Sequence, residues 1–131
     1  MKIARELYDQ IVAHARAEAP NECCGIVSTD DDDRAVKVYP TTNIFASPLR
    51  YEIDPEQLLG VWREIDAAGL EMGAVYHSHT RTVPEPSQTD INSATNPQGV
   101  YIIVGLADGE PDVRAWNIVD GAVTAAELVV E

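Results

Sequence analysis

The sequence predicts a mixed α/β fold, a sheet of about six strands carrying two main helices and a short third one. Three observations lead there. Apolar residues recur at helical spacing in two stretches, residues 5–19 and 54–69, as amphipathic helices require. Around them lie short apolar runs rich in Val and Ile with no helical period, which read as strands. Asp120-Gly121, between two of those runs, is the dipeptide of a tight two-residue hairpin.

Taken in order, Ala4, Leu7, Tyr8, Ile11, Val12 and Ala15 form the apolar stripe of the first helix, and Pro20 ends it. His14 falls toward the polar edge of that stripe, the place of a solvated surface histidine. The small apolar run 23–27 is a buried strand with a carboxylate, Glu22, at its lip. Asp30 to Asp33, followed by Arg34, lack the central glycine and closing glutamate of a calcium loop and read as a solvated hairpin tip. Residues 35–39 alternate as a second strand, 40–49 form a loop, and 51–53 are a short extended piece. Asp54-Pro55-Glu56-Gln57 starts the long helix: Asp54 caps it, Pro55 suits its first position and Gln57 can complete a capping box. Leu58, Leu59, Trp62 and Ile65 supply its buried stripe, and Gly69 ends it. Val75-Tyr76 favours a strand that runs into His77 and His79. Residues 89–94 make one short helix, closed by Asn96-Pro97. Runs 100–105, 113–119 and 122–130 are three further strands, the first central because it is apolar throughout.

A chain of 131 residues with 45% apolar content suits a single domain over 1–131, with a core that needs no disulfide. Twenty-two acidic against nine basic residues give a net charge of −13, which repels a nucleic-acid backbone and an anionic membrane surface. Cys23 and Cys24 are adjacent, so on a strand they point to opposite faces and do not pair, the usage of a reducing cytosol. The start, M-K-I-A-R-E-L-Y, has neither a signal-peptide apolar region nor a transit-peptide composition. No apolar run approaches the roughly 20 residues that span a bilayer. The expectation is a cytoplasmic protein with no nucleic-acid and no membrane partner.

The chemistry concentrates in residues 76–90, Y-H-S-H-T-R-T-V-P-E-P-S-Q-T-D. On a strand His77 and His79 project to one face and Ser78 to the other. Neutral imidazole is a common ligand of zinc-type metals, but two ligands hold an ion weakly and a third must come from elsewhere. Asp90, eleven residues after His79, is the candidate. Ser87 and Asp90 equally fit a plain capping box. The two readings coexist if Pro84 and Pro86 stiffen the loop and return the helix start to the end of the histidine strand. A His-His-Asp set leaves a fourth tetrahedral position for water, the mark of a catalytic rather than a structural zinc site. An acid that is not itself a ligand must then move the proton. Glu22 is the best placed, provided its strand neighbours the histidine strand.

An upstream Glu, then His-x-His, seven residues, Ser, two residues and Asp form the signature of the JAMM/MPN+ metallopeptidases. Glu22, His77, His79, Ser87 and Asp90 fill every position of it, and the chain resembles that family over nearly its whole length. The resemblance implies a curved sheet in a three-layer α-β-α, cytidine-deaminase-like fold. It implies one Zn²⁺ per chain bound by His77, His79 and Asp90, with metal-bound water as nucleophile. Glu22 would be general base and then acid, and Ser87 would help to stabilise the oxyanion. The implied activity is peptidase or isopeptidase cleavage after the C-terminal Gly-Gly of a ubiquitin-like protein. Residues 57–66, Y-H-S-H-T and I-V-D-G-A-V-T are most similar to the short bacterial branch. That branch includes the peptidase that frees cysteine from a ubiquitin-like sulfur carrier protein. The implied partner is such a carrier or its conjugate, its flexible tail added along a sheet edge as a strand. Thr80 stands where the family often has proline, a departure that changes no ligand.

Two other functions share the pattern: a non-catalytic scaffold of the same fold, and a zinc hydrolase of a small-molecule amide. Family scaffolds lack some of the ligands, and this chain lacks none. A zinc deaminase needs a later P-C-x-x-C, which is absent. Cys23 and Cys24 are poor nucleophiles, because an apolar run raises a thiol's pKa. The sequence leaves open which carrier is cut, whether the bond is linear or a lysine branch, and whether the chain is a monomer or a homodimer.

Overall fold

The computed structural model describes residues 1–96 and 99–131. Its elements, in order, are β1 (Lys2–Ile3), α1 (Arg5–Glu18), β2 (Cys24–Thr29), β3 (Ala35–Thr41), α2 (Pro55–Ala67), β4 (Glu71–His79), α3 (Gln88–Ser93), β5 (Val100–Gly105), β6 (Asp112–Val119), β7 (Ala122–Ala126) and β8 (Val129–Val130). Six strands make one sheet in the order β3-β2-β4-β5-β6-β7. Within it β4 and β5 run parallel and the other neighbours antiparallel, a mixed sheet as expected.

Strand alternation sends successive side chains into two separate cores. Val27, Ala74, Tyr76, Ile102 and Val104 pack with Ile11 and Ala15 of α1. Cys24, Ile26 and Tyr39 pack with Ile65 of α2, and Val75 packs against them. Helices therefore cover both faces, giving the three α-β-α layers. Gly25 sits under the ring of Tyr76, where any Cβ would overlap the aromatic carbons. The turn from β6 to β7 puts Asp120 at φ 51° and Gly121 at φ 79°, the paired left-handed residues of a tight hairpin.

Several expectations are corrected. β3 continues through Pro40 to Thr41, because it is an edge strand and a proline there need not donate to a second neighbour. The C-terminal run breaks after Ala126. Leu128 and Val130 turn in to pack against the core that contains Ile3, and β8 pairs in parallel with β1. Gln57 completes no capping box: its Oε1 accepts the Thr42 N–H at 2.7 Å and its Nε2 donates to Thr42 Oγ1 at 3.1 Å. Asp54 does cap α2, accepting from the Glu56 and Gln57 N–H groups. In α2 only Ile65 of the expected stripe is buried, at 3% exposure, whereas Leu58, Leu59 and Trp62 are 38%, 47% and 51% exposed. Their side chains open on a groove instead of the sheet. His14 is no solvated histidine, since its Nδ1 lies 2.7 Å from the Tyr76 hydroxyl and burial lowers its pKa. The short helix is set one residue earlier than expected, and Pro97 of its expected closure lies outside the described residues.

Candidate metal centre

The site forms where β4 ends. β2 and β4 pair with Cys24 opposite His77, so the chain entering β2 carries Glu22 level with His79. One bond beyond the regular ladder fixes this approach: the Cys23 N–H donates to Ser78 Oγ at 2.8 Å. Thr80 Oγ1 adds another, donating to the Pro20 carbonyl at 3.0 Å. Glu22 is 4% exposed, and its Oε1 has no hydrogen-bond partner among the described residues. Burial pushes its pKa up to about 8; the charge of His79 works against that shift and the charge of Asp90 adds to it.

Asp90 reaches the histidines from α3. The loop before α3 is pinned by Trp116, whose Nε1 donates to the Pro84 carbonyl at 2.8 Å. Pro84 in turn packs so closely on Gly105 that a Cβ there would collide with it. Ser87 caps α3, its Oγ accepting the Asp90 N–H at 3.1 Å while Asp90 Oδ2 accepts the Ser87 N–H at 2.9 Å. The capping box and the turning of Asp90 toward the histidines are thus one arrangement. That same Oδ2 lies 3.1 Å from His77 Nε2 and 3.0 Å from His79 Nε2, and the two Nε2 atoms are 3.2 Å apart. Ser87 is the outlier of the five expected residues. Its side chain accepts from the Asp90 backbone and bonds to neither imidazole.

The donor set fits a cation. His79 Nδ1 lies 2.9 Å from the Val83 carbonyl, which can only accept, so the ring proton sits on Nδ1 and a neutral His79 presents a bare lone pair at Nε2. That lone pair faces a carboxylate oxygen already engaged as an acceptor. Three donor atoms around an ion at zinc–ligand distances of about 2.0–2.1 Å, in tetrahedral geometry, would be spaced roughly 3.3 Å apart. The observed 3.0–3.2 Å spacing matches this closely. Two imidazoles and a carboxylate are ligands that zinc accepts.

The surroundings set the charge states. Burial pulls the pKa of His77 down, against the pull of Asp90. For His79 burial also lowers it, but the bonds to Asp90 and the Val83 carbonyl, with the charges of Asp90 and Glu22, leave it raised. Burial would raise Asp90, yet the imidazoles of His77 and His79, which donate to it when Nε2 carries a proton, and the Ser87 N–H hold it well below the usual carboxylate range. Tyr51 stacks on His77, rings 4.5 Å apart and inclined by 25°. Tyr51 also begins a groove of about 840 Å³, lined by Phe45, Leu58, Leu59, Trp62 and Tyr101 among others.

Sequence reading missed Tyr51, Ser78, the Val83 carbonyl and Asn43, whose Nδ2 donates to the Glu22 carbonyl at 3.0 Å. None carries a motif: Tyr51, Ser78 and Asn43 act through partners distant in the chain, and the Val83 carbonyl is a main-chain group that no residue type marks. Cys23 and Cys24 are free and buried, one in each core, and burial pushes their thiols up to about 12 and about 11. Neither is a nucleophile at neutral pH.

Residues 4–119 match the family described as Prokaryotic homologs of the JAB domain. The chain is 40% identical over 124 residues to the CysO-cysteine peptidase of Mycobacterium tuberculosis (strain ATCC 25618 / H37Rv), covering 93% of this chain and 85% of that protein. To the desampylase of Haloferax volcanii it is 36% identical over 123 residues, covering 89% of this chain and 88% of the relative. The solution structure of protein DSY2949 from Desulfitobacterium hafniense superposes with a TM-score of 0.88 at 31% identity, over 100% of this chain and 93% of that one. The match runs from the first helix to the sixth strand and takes in both histidines and both acids of the site, and on it the chain belongs to the family of prokaryotic homologs of the JAB domain.

Proposed function

We propose that this chain is a zinc-dependent JAMM-type peptidase that hydrolyses the bond after the C-terminal Gly-Gly of a ubiquitin-like carrier protein. The observation that carries the reading is the meeting of three lone-pair donors, on His77, His79 and Asp90, beside a buried acid with a free oxygen, Glu22. The relatives' names point to the substrate class, one a CysO-cysteine peptidase and another a desampylase. The greater identity to the former favours release of cysteine from a sulfur-carrier adduct.

Bound zinc supplies a Lewis acid and lowers the pKa of a water molecule to about 7. The chain's own residues do the rest. His77, His79 and Asp90 hold the ion, with His79 oriented by the Val83 carbonyl. Glu22 takes a proton from the attacking water and delivers it to the leaving amine. A buried carboxyl with one oxygen unpartnered among the described residues suits this work, because burial brings its pKa up to about 8, within reach of neutrality. The Ser87 hydroxyl, whose oxygen is engaged by the Asp90 N–H, keeps its own proton to donate to the developing oxyanion. The apolar groove beside Tyr51 suits an extended, flexible tail approaching His77.

The test is incubation of the zinc-loaded protein with a ubiquitin-like carrier extended beyond Gly-Gly by cysteine or by a short peptide, followed by mass spectrometry. A product ending in Gly-Gly is expected, and none in the presence of a chelator. An intact carrier after incubation with zinc-loaded protein overturns the reading.

A further inference from the structure

We propose that Asn43 is a positioning residue for Glu22, clamping the main chain of the acid against the loop between β3 and α2. The inference rests on the proposed role of Glu22. Asn43 spends every hydrogen-bonding valence of its amide on main-chain groups. Its Nδ2 donates to the Glu22 carbonyl at 3.0 Å and to the Arg50 carbonyl at 3.1 Å. Its Oδ1 accepts the Phe45 N–H and the Glu52 N–H, both at 3.1 Å. Only an amide offers two donors and two acceptor lone pairs in one plane at this length.

The clamp has a second jaw. The Glu22 N–H donates to the Ser47 carbonyl at 2.9 Å, so the loop holds both polar groups of this peptide segment. Glu22 precedes β2 and has no strand partner of its own, and its side-chain oxygen is unpartnered. The acid therefore owes its place to its main chain, which this loop holds at Glu22 itself while the Cys23–Ser78 and Thr80–Pro20 bonds hold the residues on either side. The rest of the loop is held by a bridge from Asn43 to Ile53, by a few main-chain bonds across it and by the bonds of Gln57 to Thr42. The same amide thus sets the reach of Glu22.

Asn43→Asp keeps the acceptor for Phe45 and Glu52 and removes both donors, setting a carboxylate oxygen against two carbonyls. Asn43→Ala removes all four bonds without adding charge, and both variants are measured. Amide exchange at Glu22 is expected to quicken at least tenfold in each, while Ile102 and Ile103 in β5 keep their protection. On the carrier substrate kcat falls ten- to a hundredfold, with KM and zinc content unchanged. In a Glu22→Gln background the same substitutions cost nothing further, because the group they position is gone. Unchanged exchange at the Glu22 amide overturns the proposal whether or not the carrier is cleaved. So does an equal loss of rate with and without the Glu22 carboxylate. Failure of the wild type to cleave, with the exchange result intact, counts against the proposed function alone.

Discussion

Two carboxyl groups share this site and have their pKa values pushed in opposite directions because of what each one faces. Asp90 Oδ2 lies among two imidazoles and a backbone N–H, and these hold it ionised in spite of burial. Glu22 has an oxygen with no partner, and burial raises it to about 8. Glu22→Gln preserves shape and removes the titration. Zinc content should be unchanged in that variant, while kcat falls by at least about 10². Turnover at the wild-type rate would take the acid–base role from Glu22. The same substitution has a signature in metal-free protein. A carboxyl whose folded pKa, about 8, exceeds its ordinary value of 4.5 binds its proton more tightly in the native state. Its contribution to stability is complete below pH 4.5 and is lost as the pH rises through 8. The Tm of metal-free wild type, measured relative to the Gln variant, should therefore fall between pH 5 and pH 8.5. A rise over that range would mean that Glu22 is not desolvated.

At the scale of elements, two helix caps look alike and should behave differently. Asp54 caps α2 through the Glu56 and Gln57 N–H groups, and Ser87 caps α3 through the Asp90 N–H. Replacing either by Ala should cost about 1 kcal/mol of stability. Only Ser87→Ala should also weaken zinc, by about tenfold to a hundredfold, because the cap orients Asp90. Competition against a chelating dye separates the two, and equal affinity in the two variants would uncouple the cap from the ion. These caps were legible in the sequence because a cap is a local event, a polar side chain meeting an amide two or three residues on. So were β5, whose apolar run was already complete, and the Asp120-Gly121 turn, whose left-handed backbone selects its residues. Convergence of His77, His79 and Asp90 was legible too, since strand alternation and a proline-stiffened loop carry it. What stayed hidden depends on partners far along the chain. Leu58, Leu59 and Trp62 keep helical spacing, but only Ile65 meets the sheet. Asn43 gives no sign of holding Glu22, twenty-one residues earlier, because that bond exists only once the loop has folded back.

Across the whole molecule, the proposed ligands and acid come from segments that separate on unfolding: the entry to β2, the end of β4 and the first turn of α3. An ion bound there is bound by the native state alone, so it should stabilise the entire fold. At a free zinc concentration about 100 times Kd the linkage gives about 2.7 kcal/mol. For a chain of this size that is a rise in Tm on the order of 10 °C. The net charge of −13 complicates the measurement, because any added cation relieves self-repulsion in so acidic a protein. The two effects differ in what they require. Screening should raise the Tm of wild type and of Asp90→Asn alike, and sodium or magnesium salts at matched ionic strength should reproduce it. The zinc-specific increment needs the three converging donors, so it should appear only in wild type, at micromolar zinc, and vanish when a chelator is added. If Asp90→Asn gains as much from micromolar zinc as wild type does, the carboxylate is no ligand, and the acidic surface alone accounts for the stabilisation.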